Sequence, residues 1–336
     1  MNKKIRALVL LSGGLDSMLA VKVLQEQGIE VVGLSFKSCF FDTLKARESI
    51  GQLGIELKEV DFSIDHLKMT KNPPNGYGKN MNPCIDCHGM MLQYAKRIME
   101  DEGFDFVATG EVLGQRPMSQ NRTALQRVAK ISDLGDRLLR PLSAKLLNET
   151  ELERIGKIDR GKLQNVEGRG RDKQFELAKK YNITEYPFPG GGCLLTDVSF
   201  GQRLKTLFTN WPTCDINDAA ILKTGRIYWF NVQSDRILAL VGRDMQDNEN
   251  MLKLIKEDDV LVELVDEIGP TTLIRGLKNL NKEEQILSID VPNALNFAKE
   301  DFLETKTEAD ILQIVATLTA YYATRLRGKT VKVRIK

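Results

Sequence analysis

The chain has 336 residues with 48 basic against 46 acidic side chains, a net charge of +2. That length suggests two domains with cores of their own, and the balance excludes a globally basic nucleic-acid binder but not a local basic face. No segment approaches the ~18 continuous apolar residues of a transmembrane helix, and glycines and Asp16 break what could be a signal-peptide apolar region, so a cytoplasmic protein without a membrane partner is expected. Five unevenly spaced cysteines argue against a disulfide framework and point some of them to metal or redox chemistry.

Residues Ile5 to Leu11 form a short, mostly apolar strand pattern, and Leu15, Leu19, Val23 and Leu24 recur at helical spacing over Leu15 to Gln27 before Gly28 stops the helix. Ile29 to Phe36 is a second apolar run, which completes a βαβ opening. Between the first strand and the helix lies Ser12-Gly13-Gly14-Leu15-Asp16-Ser17. Glycines at such a junction let backbone N–H groups approach an anion, and the helix N-terminus adds roughly half a positive charge. The turn contains neither GxxxxGK[ST], with its phosphate-binding lysine, nor GxGxxG. It resembles instead the PP-loop of the ATP pyrophosphatase superfamily, whose members adenylate a substrate oxygen and release pyrophosphate.

Further along, Glu56 to Phe62 and Phe104 to Gly110 read as strands and Ile85 to Glu102 as a helix, with a Pro-, Gly- and Asn-rich loop from Lys71 to Pro83. The alternation fits an α/β domain with a parallel sheet, whose ligands gather beyond the carboxyl ends of the strands. After about Phe208, Trp211 and Pro212 interrupt the helical run. Arg226 to Asn231, Ile237 to Gly242 and Val260 to Val265 then read as strands, Asn248 to Lys256 and Glu308 to Arg327 as helices, and Thr330 to Ile335 as a terminal strand. The expected division is therefore 1–208, an α/β parallel-sheet domain, and 209–336, a smaller α+β domain.

Cys84 and Cys87 form a CxxC after Pro83 at a helix start, where a thiol pKa is expected to fall, and Cys193 follows Pro189-Gly190-Gly191-Gly192. Three thiolates can hold a 4Fe-4S cluster with one iron lacking a protein ligand, an iron able to carry an extra sulfide. The same residues are open to a redox pair with Cys193 as persulfide carrier, to zinc with His88 as a fourth ligand, and to a purely structural role. Cys39 and Cys214 read as ordinary buried thiols, although Cys39 follows the second strand close to where adenine is expected.

The loop and the three cysteines together make the first two hundred residues similar to tRNA thiolation enzymes, most of all to iron-sulfur-dependent tRNA 4-thiouridine synthetases. Thr109-Gly110-Glu111-Val112-Leu113-Gly114-Gln115 with Ser119-Gln120, and Leu139-Arg140-Pro141-Leu142, extend the resemblance. It implies a PP-loop, adenine nucleotide alpha hydrolase-like fold, with ATP on Leu11, Ser12, Gly13, Gly14, Leu15, Asp16, Ser17, Phe36 and Gly110. It further implies a magnesium ion or the loop itself arranged by Asp16, and the cluster on Cys84, Cys87 and Cys193; Asp16 and these cysteines are the expected catalytic residues. The loop lies a few residues from the first residue, so the family's N-terminal RNA-binding module and its rhodanese-like domain are expected to be missing, as are the paired zinc fingers of two-subunit 2-thiouridine enzymes.

Val241-Gly242-Arg243-Asp244, Asp247-Asn248-Glu249, Gly269-Pro270-Thr271-Thr272 and Ala320-Tyr321-Tyr322 resemble the R domain of NFACT proteins, an RNA-associated module, from about Thr224 onward. Local charge agrees with a partner such as tRNA or another RNA. Arg154 to Lys180 holds nine basic against four acidic residues, and Arg325 to Lys336 six basic and none acidic. Either patch reads equally as a solvated face, and Tyr321 and Tyr322 as helix packing. The expected activity is ATP-dependent sulfur transfer to a uridine in tRNA through an adenylated intermediate, the sulfur donor being sulfide or a persulfide carrier. The rival readings are a cluster-free, persulfide-based 2-thiouridylase-like enzyme, an amide- or nitrile-forming PP-loop enzyme, and a noncatalytic RNA-binding factor on a nucleotide-binding scaffold.

Overall fold

The run ahead of the glycine turn is mostly apolar because both faces of its strand are buried. In the computed structural model, which describes residues 4–187, 192–278, 284–295, 303–305 and 307–336, strand β1 (Arg6–Leu10) sends Ala7 and Val9 into one core and Leu8 into another on the opposite face of its sheet. Strand β2 (Glu30–Lys37) alternates likewise, Val31 facing the first core and Val32, Leu34 and Phe36 the second.

The chain divides into two units, Met1–Gly201 and Gln202–Lys336. In the first, α1 (Leu15–Gln25) follows β1, α2 (Leu44–Leu53) links β2 to β3 (Glu56–Asp61), and α3 (Ser63–Lys71) and α4 (Cys84–Glu102) lead to β4 (Phe106–Thr109). Helix α5 (Arg122–Ser132), the short β5 (Leu138–Leu139), α6 (Glu151–Arg154) and α7 (Asp172–Lys180) follow. The sheet is parallel in the order β3-β2-β1-β4-β5, with Ala7 paired to both Val31 and Phe106. Strand order reverses at β1, so the turn after it lies at the topological switch point. Helix α2 has no counterpart in the sequence reading because it buries only Ala46, Ser49 and Leu53, too few apolar positions to show a stripe. The division between units falls inside α8 (Val198–Asn210), whereas the change of sequence pattern marks that helix's end.

The second unit contains α9 (Ile216–Ile221), β6 (Arg226–Val232), β7 (Asp235–Val241), α10 (Met245–Leu252), β8 (Val260–Leu264), β9 (Thr272–Arg275), β10 (Gln285–Asp290), β11 (Leu303–Glu304), α11 (Glu308–Tyr322) and β12 (Thr330–Ile335). Its sheet runs β10-β12-β8-β9-β7-β6-β11, antiparallel except for the β11–β6 pair. Helix α11 buries Ile311, Val315, Ala316 and Leu318 in a core shared with Phe230, Val262, Ile274 and Val333, and Thr319 pairs its hydroxyl with that of Thr272 at 2.7 Å. Two expected helices are corrected. The one placed over residues 248–256 begins earlier, because Asp244 caps it by accepting from the Asp247 N–H. The one expected to reach Arg327 ends at Tyr322, where Ala323 leaves helical backbone as the chain reverses into β12. No helix among the described residues is long and apolar enough to cross a membrane.

Phe230 has no exposed surface, whereas Ile286 on β10 is 54% exposed. Phe230→Ala is expected to destabilise this unit by about 3–5 kcal/mol and Ile286→Ala by under ~0.5 kcal/mol, as read from urea unfolding midpoints.

Candidate functional site

The glycine turn is held open by backbone conformation. Gly13 has φ +74°, and a Cβ there would run into the backbone carbonyl of Lys45 near the start of α2. On the other side Gly110, just after β4, leaves no room for a Cβ, which would lie 2.6 Å from the Asp16 carbonyl group. Within the turn the Ser17 hydroxyl donates to the Gly14 carbonyl at 2.8 Å, and the Ser12 Oγ accepts from the Gly14 N–H at 3.3 Å. Gly14 is the N-cap of α1 and supplies no side-chain cap, unlike Asn121 of α5 or Thr307 of α11, so the first N–H groups of α1 face the turn as an anion site.

Of the residues expected around ATP, Leu11, Leu15 and Phe36 have buried side chains. Leu11 and Leu15 lie in the first core, while the Phe36 ring packs against Phe62 at 5.2 Å and Tyr94 at 6.2 Å, so these three residues offer a ligand their backbone only. Asp16 lies on the rim. Its Oδ2 accepts from Gln115 Nε2 at 2.6 Å and stands 3.7 Å from the Arg171 guanidinium, while Oδ1 is buried without a partner among the described residues.

Behind the turn is an ion cluster that the sequence reading did not assign. Glu111 is buried, accepts from Arg140 Nε at 2.8 Å and from Thr109 Oγ1 at 3.1 Å, and meets His88 Nδ1 at 3.0 Å. Burial alone would raise its pKa, but the Arg140 charge, with His88, outweighs that and holds the carboxyl at about 2. The signal was present in the TGE and RPL stretches, yet nothing in either predicts that they meet.

The three cysteines come together in the same unit. Cys87 is buried, Cys84 and Cys193 half-buried, and Cys84 and Cys193 both lie near enough to raise the proton affinity of Cys87. Burial is the largest cause for Cys87 and for Cys193, and it pushes both thiols up. For Cys87 this reverses the expectation that the helix start would lower its thiol pKa, because desolvation of the thiolate exceeds the helix-terminus effect. Three segments converge around them. Asn82 donates to the Cys84 sulfur at 3.2 Å, Asn80 donates to the Thr196 carbonyl at 2.6 Å, and the Leu194 N–H reaches the Phe40 carbonyl beside Cys39 at 3.4 Å. Cys39 and Cys214 are buried. Pro189, Gly190 and Gly191 lie outside the described residues.

A phosphate loop built of backbone donors at the switch point of a parallel sheet, with no lysine on it, makes the first unit a PP-loop domain. A family model described as Thiamine biosynthesis protein (ThiI) matches residues 3–156. Among curated proteins, tRNA-specific 2-thiouridylase MnmA 3 of Bacteroides fragilis is 34% identical over 115 residues, covering 32% of this chain and 31% of that one. A probable tRNA sulfurtransferase of Finegoldia magna is 31% identical over 157 residues, covering 45% and 39%. The chain thus spans less than half the length of either relative. A solved 4-thiouridine synthetase in complex with RNA and bound ATP aligns with TM-score 0.36 and 18% identity, over 64% of this chain and 53% of that one.

Removing the Glu111 charge leaves Arg140 buried without its counterion. Glu111→Gln is expected to lower stability by about 3–5 kcal/mol at pH 7 in chemical denaturation. In the wild type the stabilisation is present above the carboxyl's ordinary value of 4.5 and is lost as pH falls from there toward about 2; the variant should lack that loss.

Proposed function

We propose that this chain is an ATP-dependent sulfurtransferase that thiolates a uridine in tRNA. The observation that carries the reading is the glycine turn after β1 in one domain with Cys84, Cys87 and Cys193, where Asn80 in the loop ahead of the pair donates to the Thr196 carbonyl just after the third at 2.6 Å although more than a hundred residues separate them. Backbone N–H groups of Ser12 to Leu15 and the Ser12 hydroxyl bind the ATP phosphates, and Asp16, through its unpartnered Oδ1, arranges a magnesium ion. The uridine carbonyl oxygen attacks the α-phosphorus and pyrophosphate leaves, with its charge held by the loop. A sulfur nucleophile then attacks the ring carbon, and AMP departs with the former carbonyl oxygen.

The donor set suits an iron-sulfur cluster. Thiolates are the ligands such clusters take, and a cluster spreads its ligands over several irons. Among the described residues no group of three His, Cys, Asp or Glu, these cysteines included, is already placed to hold a metal ion. When bound by Cys84, Cys87 and Cys193, the cluster supplies an iron without a protein ligand on which sulfide can be held. The surrounding residues orient the thiols, Asn82 through its bond to Cys84 and Thr196 through its bond to the Cys193 carbonyl at 2.7 Å.

The 2-thiouridylase name of one relative supports a second reading without a cluster. There, a persulfide on one cysteine gives its outer sulfur to the activated carbon, and a second thiol releases it by closing a disulfide. Anaerobic reconstitution with iron and sulfide, followed by mass spectrometry of tRNA nucleosides, separates the two. Cys→Ser at any of the three positions is expected to lower iron and sulfide together and abolish the thionucleoside, and Asp16→Ala to abolish AMP formation with iron retained. Wild-type protein that thiolates tRNA while iron-free refutes the cluster, and wild-type protein that forms no thionucleoside in either state refutes the sulfurtransferase.

The second unit is proposed as an NFACT-R-like RNA-binding domain. Arg226 stacks over Tyr322 at 4.2 Å and Arg327 over Tyr321 at 4.0 Å, next to the basic segment from Arg325 to Lys336. Lys329→Glu with Lys332→Glu, both exposed, is expected to weaken tRNA binding and to reduce the salt slope by about 0.7–0.9 for each phosphate no longer neutralised. Unchanged affinity and slope would place RNA recognition elsewhere.

A further inference from the structure

We infer that Arg171 is a phosphate-binding residue of the nucleotide site and supplies the cation that the loop itself lacks; this rests on the ATP reading above. The triphosphate of ATP brings several negative charges, and the turn from Ser12 to Ser17 contains no lysine or arginine. Its formal charge is that of Asp16. Helix N-terminal N–H groups offset only part of such a ligand.

Arg171 reaches the turn from beyond residue 156, where the family match ends. The chain is brought there by a parallel bridge between Leu113 and Glu167 and by the Gly168 N–H donating to the Leu113 carbonyl at 2.8 Å. Arg171 is then the N-cap of α7. Three residues on, the fully buried Gln174 donates to Gln115 Oε1 at 3.0 Å, and Gln115 in turn donates to Asp16 Oδ2. One end of one helix therefore addresses Asp16 twice, through a relay of two amides and through a guanidinium.

The two contacts differ in quality. The amide relay is made at ordinary hydrogen-bond distances, whereas the guanidinium is 3.7 Å from Oδ2, too far for a hydrogen bond. The Arg171 side chain is only 19% exposed, and its ion pair with Asp16 comes without a hydrogen bond among the described residues. A guanidinium carries five donors, and withdrawing it from water without bonding them is costly. In the same Asp16–Gln115–Gln174 network two buried oxygens also lack partners among the described residues, Asp16 Oδ1 and Gln174 Oε1. Buried polar atoms are nearly always bonded, so unmade bonds of both kinds at one place point to a ligand with both kinds of group. Magnesium-ATP is such a ligand, its metal suiting Asp16 and its phosphate oxygens the planar fork of Arg171.

The test uses the full chain and isothermal titration with two ligands, magnesium-ATP and adenosine. Arg171→Ala is expected to weaken magnesium-ATP about tenfold or more while leaving adenosine within twofold, and Arg171→Lys, which keeps the charge but not the fork, to fall between. Circular dichroism checks the fold; should Arg171→Ala unfold, Arg171→Gln is measured with the same ligands and the same expectations. Magnesium-ATP affinity within twofold of wild type overturns the inference alone. Equal loss for both ligands overturns it too, in favour of a structural role. Wild-type protein that binds no magnesium-ATP overturns the nucleotide reading together with it.

Discussion

The first unit is organised around one buried carboxylate. Glu111 joins the end of β4 to Arg140 in the RPL turn and to His88, one residue after Cys87 on α4. Both ions of the Glu111–Arg140 pair have left water, and such a pair persists only when further hydrogen bonds complete its shell. Thr109 and His88 do so for the carboxylate, and the Leu125 carbonyl does so for the guanidinium at 3.2 Å. The consequence is positional. The strand end whose Gly110 packs on the phosphate turn is fixed to the helix that carries two of the three thiols.

The glycine turn and the thiol cluster are thus built by different means. The turn relies on backbone, with Gly13 in a left-handed conformation and α1 left uncapped, while the Ser12 and Gly14 N–H groups are taken by the Ser17 and Ser12 hydroxyls. The thiols rely on burial and on tethers from loops, Asn80 and Asn82 on one side and Thr196 on the other. Backbone donors keep their character at any pH. Thiols do not, since their charge depends on what else occupies the space.

Much of this was readable from residues. Apolar runs of five to eight residues gave the central strands, because a strand buried on both faces admits little else. Strand β12 lies where alternating charge and apolarity placed it. Helices α2 and α3 are not visible in the pattern because each buries only three residues. The glycine turn was legible, since its chemistry is local. Glu111 with Arg140, and Asp16 with Gln115 and Arg171, were not, as each pair is separated by 29 to 155 residues and only folding brings it together. The direction of the Cys87 shift differs from expectation for the same reason. A helix start is visible in a sequence, whereas the burial that outweighs it is not.

The raised proton affinity of Cys87 and Cys193 has a chemical corollary. Attack on electrophiles and on peroxides requires the thiolate, so a thiol kept protonated by its surroundings is slow to alkylate and slow to oxidise. The burial that disfavours charge therefore acts as insulation. It slows the reaction of these two sulfurs with electrophiles by lowering the share present as thiolate.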